Sequence, residues 1–282
     1  MNPRRLVITA DDFGAALAVN AAVETAHRDG VLTAASLMVN GPAAADAVER
    51  ARRMPGLRVG LHLVLVDGRP VLDASRARRL TRPDGRFRDN MAAAGVRMFF
   101  DPLARRELAS EIEAQFRAFA ATGLRLDHVN AHKHFHLHPT IAGQIVKIGA
   151  RFGLSAVRVP IEPIAPLRTA EPGGIFHRSR LVEFWAALAR ARVRQAGLTA
   201  PDQVFGLRWS GAMTATRLEG LISALPPGLS EIYLHPALEG DFEGAAPGYA
   251  YAEELAALTA PRVAQALADT GVVTGGFADF CQ

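Results

Sequence analysis

A single α/β domain with a (β/α) barrel-like fold is what this sequence predicts. The plan is TIM-barrel-like with distortion allowed, the strands are parallel, and a functional site is expected at their C-terminal ends. Three observations lead there. Short β-branched runs alternate with longer helical patterns almost throughout, and strands joined through helices have to run parallel. About eight such runs can be counted, enough for a closed or nearly closed barrel. The 282 residues match one barrel of ~250 residues as well as two smaller domains, and no linker divides them. One domain over residues 1–282 is therefore expected.

Leu6–Ala10 reads as a buried strand, followed by helix Ala16–Arg28, which stops at Gly30. Ala35–Val39 is the second strand, and helix Ala43–Arg53 follows it, ended by Pro55-Gly56. Arg58–Val64 is the third strand and His128–Ala131 the fourth. Between them lies the best-marked helix, Leu103–Ala121, with Asp101 as N-cap, Pro102 in its first turn and Gly123 beyond its end. Helix Pro139–Phe152 leads to strand Ala156–Val159, and helix Leu181–Ala196 to strand Gln203–Leu207. Helix Thr214–Ala224, strand Glu231–Leu234, helix Pro261–Thr270 and strand Val272–Thr274 complete the alternation. Two connections, Asp67–Phe100 and Pro160–Ser179, are too long for simple turns, and long loops in compact domains are more often functional than accidental. No Gly-x-Gly-x-x-Gly follows the first strand and no P-loop is present, so the nucleotide-binding fingerprints are missing.

A composition of 49% hydrophobic and 21% charged residues excludes a disordered or collagen-like chain. The one cysteine, Cys281, cannot form an internal bridge. The net charge of +4 is carried by arginine, with Lys133 and Lys147 the only lysines, and is too small to indicate nucleic acid. No stretch approaches the ~18 apolar residues of a membrane span. Arg4-Arg5 runs straight into Leu6-Val7-Ile8 without a signal-peptide pattern. The chain is read as cytoplasmic, with peripheral contact at the inner membrane and a homodimer left open.

Polar residues gather at strand ends. Asp11-Asp12 directly follows the first strand, where adjacent carboxylates repel unless a cation or hydrogen bonds compensate. The bland alternative is that Asp12 caps the next helix and Asp11 is solvated. His62 lies in an apolar strand, where a lone histidine is more often a hydrogen-bonded core residue than a ligand. His128, His132, His134, His136 and His138 fall within eleven residues; His132 ends the fourth strand, and the last three lie in the loop before Pro139. Arg158 and His235 end two further strands. In a barrel these ends converge on one face. A carboxylate with two imidazoles leaves open positions on a divalent ion, with zinc the first expectation and manganese, cobalt, iron or magnesium fitting as well.

Thr9-Ala10-Asp11-Asp12-Phe13-Gly14, Val19-Asn20, Gly60-Leu61-His62, the His132-x-His134-x-His136 run and His235-Pro236 together resemble the YdjC-like carbohydrate deacetylases. Asn40-Gly41-Pro42, Leu63–Pro70 and Asn130–Pro139 are more narrowly similar to the branch associated with hopanoid biosynthesis. The resemblance implies a (β/α)-barrel-like fold and removal of the acetyl group from N-acetylglucosaminyl bacteriohopanetetrol, with water as co-substrate. It implies Asp12, His62 and His132 as metal ligands, Asp11 as general base, His235 as general acid, and Arg158 supporting one of these or contacting substrate. Asn130 and Lys133 depart from the oligosaccharide-specific members, which tend to carry Asp and His there. Chito-oligosaccharide deacetylation, another metal-dependent amide hydrolysis and a non-catalytic sugar- or lipid-binding protein are the alternatives. A glycolipid substrate calls for an apolar approach. Val96–Phe100, beside Arg76–Arg79 and Arg82, offers one unless Met98, Phe99 and Phe100 pack into the core.

Overall fold

The structure, a computed structural model, describes residues 3–177 and 179–281. The chain alternates as expected over its first part: β1 (Arg4–Phe13), α1 (Leu17–Arg28), β2 (Ala34–Leu37), α2 (Ala44–Arg52) and β3 (Arg58–Leu63). Then come α3 (Met91–Phe100), α4 (Pro102–Ala121), β4 (Val129–Ala131), α5 (Pro139–Gly149), α6 (Ile164–Ala170) and α7 (Arg180–Gln195). The remainder is β5 (Gln203–Phe205), α8 (Ala215–Ser223), β6 (Gly228–Leu234), α9 (Tyr251–Thr259), α10 (Pro261–Thr270) and β7 (Val273–Thr274). All pairings between these strands are parallel, in the order β4-β3-β2-β1-β6-β5, with β7 beside the start of β1 at Arg5 and Leu6.

The expected strand Ala156–Val159 is not a regular strand. It makes single bridges, from Val157 to Val129 and from Ala156 to Thr199. Pro160 and Pro163 follow, and proline has no N–H to continue a ladder. The segment still spans the gap between the sheet's edges. Arg158 N donates to Val129 O at 3.0 Å, and Val204 N donates to Ile161 O at 2.8 Å. The parallel sheet thus curls into a nearly closed barrel.

Strand alternation sorts the side chains into two layers. Leu6, Ile8, Ala35, Leu37, Val59, Leu61, Val129, Ile232 and Leu234 face outward into the main core beneath the helices. Inward, the floor is a small separate apolar cluster of Val7, Ala34, Ala156, Leu229 and Phe277. Above it the same phase gives Thr9 and Asp11 on β1, Ser36 on β2, His62 on β3, Asn130 on β4 and Glu231 on β6, all buried. Gly60 makes room for this layer, because a Cβ there would lie 2.4 Å from the His128 ring. A barrel with a dry floor and a polar upper storey places its chemistry at the strand C-termini.

Asp101 caps α4 as expected, its carboxylate accepting from the backbone N–H of Leu103 and Ala104. Helices α3, α6 and α9 were not anticipated. The first two lie inside segments whose sequences give weak periodicity, and α9 is alanine-rich.

Candidate active site

β1 runs on through Asp11 and Asp12 rather than stopping before them. Asp12 is at φ 62°, a left-handed conformation that turns its carboxylate away from the strand's alternation. It does not cap α1, whose N-cap is Ala16 without a side-chain bond. Nor is Asp11 solvated, at 2% exposure. Lys133, His134 and Asp67 are the other non-glycine residues with positive φ among the described residues. All four line one cavity of about 550 Å³ at the strand ends, and strained backbone of this kind collects at functional sites. Lys133 pairs with Asp67 across the cavity wall.

Six residues were singled out in the sequence, and five of them line this cavity: Asp11, Asp12, His62, His132 and His235. The sixth, Arg158, is fully buried beneath it. One oxygen of Asp12 is 3.2 Å from His62 Nε2 and 3.2 Å from His132 Nδ1. The donor atoms of the three residues all lie within 4.8 Å of one another. His62 Nδ1 donates to Asn130 Oδ1 at 2.7 Å, and Asn130 is held in that orientation because its NH₂ donates to Asp11 Oδ1 (3.0 Å) and Ser36 Oγ (2.9 Å). The ring's tautomer is thereby set, leaving the Nε2 lone pair free. That atom is buried and has no hydrogen-bond partner. A lone pair facing a carboxylate oxygen is repulsive until a cation lies between them, so this donor set fits a divalent ion.

Arg158 holds Asp11 with both terminal nitrogens, at 2.5 and 3.0 Å. Its other edge pairs with Glu231 at 3.0 and 2.7 Å, and Thr9 also donates to Glu231. Burial pushes the Asp11 carboxyl upward, but the Arg158 guanidinium outweighs it and holds the group well below the usual carboxylate range. Taken together, Asp11, Asp12 and Glu231 against Arg158 leave two negative charges in a buried site, matching one divalent cation. The Arg158 guanidinium is thus engaged on one edge by Asp11 and on the other by Glu231.

His235 faces the cavity with its Nδ1 buried and without a partner. Its backbone N–H donates to Glu254 at 2.5 Å, and Glu254 also accepts from Met213 N. The remaining histidines of the cluster have other partners. His128 links Asp127 and Ser36, His136 donates to the Arg158 carbonyl oxygen at 2.8 Å, and His134 shares a hydrogen bond with Tyr233. Burial, reinforced by Arg158, holds His134 well below its ordinary pKa and pushes His136 down to about 3, so both are neutral. Sequence reasoning missed Glu231, Tyr233, Ser36 and Glu254. Glu231 and Tyr233 were findable, because they share the two-residue phase of His235 on a strand.

The family model described as YdjC-like protein matches residues 5–269. A carbohydrate deacetylase of Geobacillus stearothermophilus is 32% identical over 274 residues, covering 96% of this chain and 95% of that one. A carbohydrate deacetylase of Brevibacillus brevis is 38% identical over 160 residues, 56% of this chain and 58% of its own length. Among solved structures, an Enterococcus faecalis V583 protein assigned to cellobiose-phosphate cleavage superposes with a TM-score of 0.78 at 23% identity, covering 99% of this chain and 100% of that one. A protein of uncharacterised function from Agrobacterium tumefaciens C58 follows at 0.52 and 12% identity, covering 99% and 90%. Both structures share the fold.

Proposed function

The chain belongs to the YdjC-like protein family, and on that footing we propose that it is a metal-dependent carbohydrate deacetylase acting on an N-acetylglucosamine unit. The observation that carries this reading is the Asp12–His62–His132 donor set beside Asp11, with His235 lining the same cavity.

In the proposed reaction water adds to the acetamide carbonyl carbon, the C–N bond breaks, and acetate and a free amine leave. Asp12, His62 and His132 would hold the cation. A divalent cation there supplies Lewis-acid polarisation of the carbonyl and acidifies water. Asp11, kept ionised and oriented by Arg158, takes the proton of the attacking water. His235, in its protonated form, delivers a proton to the departing nitrogen. Arg158 is a positioning residue that fixes the Asp11 carboxylate through two hydrogen bonds.

The finer substrate reading is a glycolipid, N-acetylglucosaminyl bacteriohopanetetrol of hopanoid biosynthesis. Support comes from a second, apolar cavity of about 660 Å³ next to the first, with which it shares Lys133, His134 and Leu207 as walls. Gly95, Val96, Phe99 and Trp185 line its far side. The apolar lining of this second space suits a sugar carried on a rigid hydrocarbon body, with the sugar in the first cavity and the hydrocarbon in the second. The test is acetate release from N-acetylglucosaminyl hopanoid and from chitobiose, side by side, with and without chelator. Chelator-sensitive release favouring the hopanoid is expected. Equal or better release from chitobiose overturns the glycolipid reading, and release indifferent to chelator overturns the metal. Asp11→Asn is expected to retain metal and lose activity; full turnover by this variant removes Asp11 from the role of base.

A further inference from the structure

Around the apolar chamber the protein carries an outer face that its own core does not explain. Met98 turns inward and is buried, but its neighbours on α3 point out, Phe100 at 73% exposure and Val96 at 60%. Across the chamber, Leu181, Phe184 and Leu188 follow the i, i+3, i+7 spacing of one face of α7 and are all exposed, Phe184 at 56%. Leu103 at the start of α4 and Ile175 ahead of α7 add to the same set of exposed side chains. Val96, Phe99 and Phe100 on α3 and Val182 and Trp185 on α7 line the chamber together, so the two helices form its opposite lips.

Arginines dominate the charge of α3, the start of α4 and α7, with Glu107 on α4 and Glu183 on α7 as the acids among them, and neither acid is without a partner. Arg97 on α3, Arg105 and Arg106 on α4 and Arg180 on α7 are exposed and have no carboxylate partner among the described residues. The acids nearby are engaged: Asp101 caps α4 and pairs with Arg79, and Glu107 accepts from the Arg79 backbone. No helix among the described residues is long and apolar enough to cross a membrane. Large apolar side chains at helix ends, interleaved with free arginines, suit a surface that is apolar within and anionic at its rim.

We propose that the face formed by α3, the start of α4 and α7 docks on an anionic lipid bilayer, so that the apolar chamber opens onto the acyl region. Binding to the bilayer is a property separate from catalysis. The delivery of a lipid-anchored sugar through the chamber rests on the glycolipid reading above. The experiment is vesicle flotation of the whole protein with phosphatidylcholine, with and without phosphatidylglycerol, at low and high salt. Flotation is expected only with phosphatidylglycerol, weakening with salt. Leu103→Ser combined with Leu181→Ser and Phe184→Ser should lower partitioning by about tenfold or more. Arg97→Gln with Arg105→Gln and Arg106→Gln should lower it by about fivefold per arginine. None of these six side chains lines either cavity, so acetate release from chitobiose and the circular dichroism spectrum are expected to be unchanged. Wild-type protein that does not float, or variants that float equally well, overturn the proposal. So does sedimentation of the wild type as a dimer that the leucine and phenylalanine changes dissociate, since the face is then covered by a second copy. Absence of deacetylation with intact flotation overturns the functional reading and leaves the docking standing.

Discussion

Asn130 commits both amide protons, to Asp11 and Ser36, and its one oxygen to His62. Three contacts make it the joint between the proposed base and a proposed ligand. Replacing it by leucine strands the His62 ring and removes a donor from Asp11. Asn130→Leu should weaken metal binding by about 10- to 100-fold, the range seen when a partner of a ligating histidine is lost. Competition against a fluorescent chelator measures it. His136 makes a second prediction, about acid. Its folded pKa of about 3 lies below its ordinary value of 6.5 because burial disfavours the charged ring. Between those values the unfolded chain binds the extra proton, so stability falls as pH drops through that window and is fully present above it. His136→Gln can still donate to the Arg158 carbonyl oxygen but does not titrate. It should flatten the acid-side decline by about 1.4 kcal/mol per pH unit, read from urea denaturation at several pH values. Ligand candidates Asp12, His62 and His132 were legible because each ends or nearly ends a strand. Asn130 was visible only as a departure from a pattern, since nothing in a sequence says which way an amide points.

At the scale of elements, the rim of the site is tied down by buried glutamates that accept backbone N–H groups. Glu111 takes Val71 and Leu72, Glu162 takes Gly206 and Leu207, and Glu254 takes Met213 and His235. Each comes from a helix or loop distant in sequence from the segment it holds. Such carboxylates therefore carry no local signature, and none was read as functional. Glu254→Gln keeps the shape and replaces one acceptor by a donor, leaving a buried N–H unpaired at a cost of ~1–3 kcal/mol. The His235 loop should loosen, lowering kcat by roughly 5- to 150-fold with metal affinity unchanged, measured by acetate release beside metal titration. The segment after Ser155 shows the opposite limit of sequence reading. Its β-branched Val157 and Val159 promise a strand, and only the prolines that follow limit it to bridges.

Across the whole molecule, the inward phase of the strands is one vertical arrangement, from apolar floor through polar storey to cavity. A hydrogen-bonded line climbs it. Phe277 and Ala278 donate their N–H groups to Asp127, which pairs with His128; His128 meets Ser36, and Ser36 meets Asn130. Phe277 is fully buried in the floor. Phe277→Ala should cost ~3–5 kcal/mol, the range for deleting a buried aromatic ring, seen as a lower midpoint in urea denaturation. The barrel and its single sheet were legible in the alternation of elements. The floor was not, because its five residues come from five places in the chain and none is distinctive alone. Its position has a consequence for how the molecule matures. Synthesis runs from the N-terminus, so Asp12, His62 and His132 are all made well before Phe277, which follows every strand among the described residues. These three side chains are therefore made before the line of contacts that orients His62 can be completed. On the proposed metal reading, a cation met during that interval would encounter an unfinished site, and faithful loading would belong to the moment after the floor is laid.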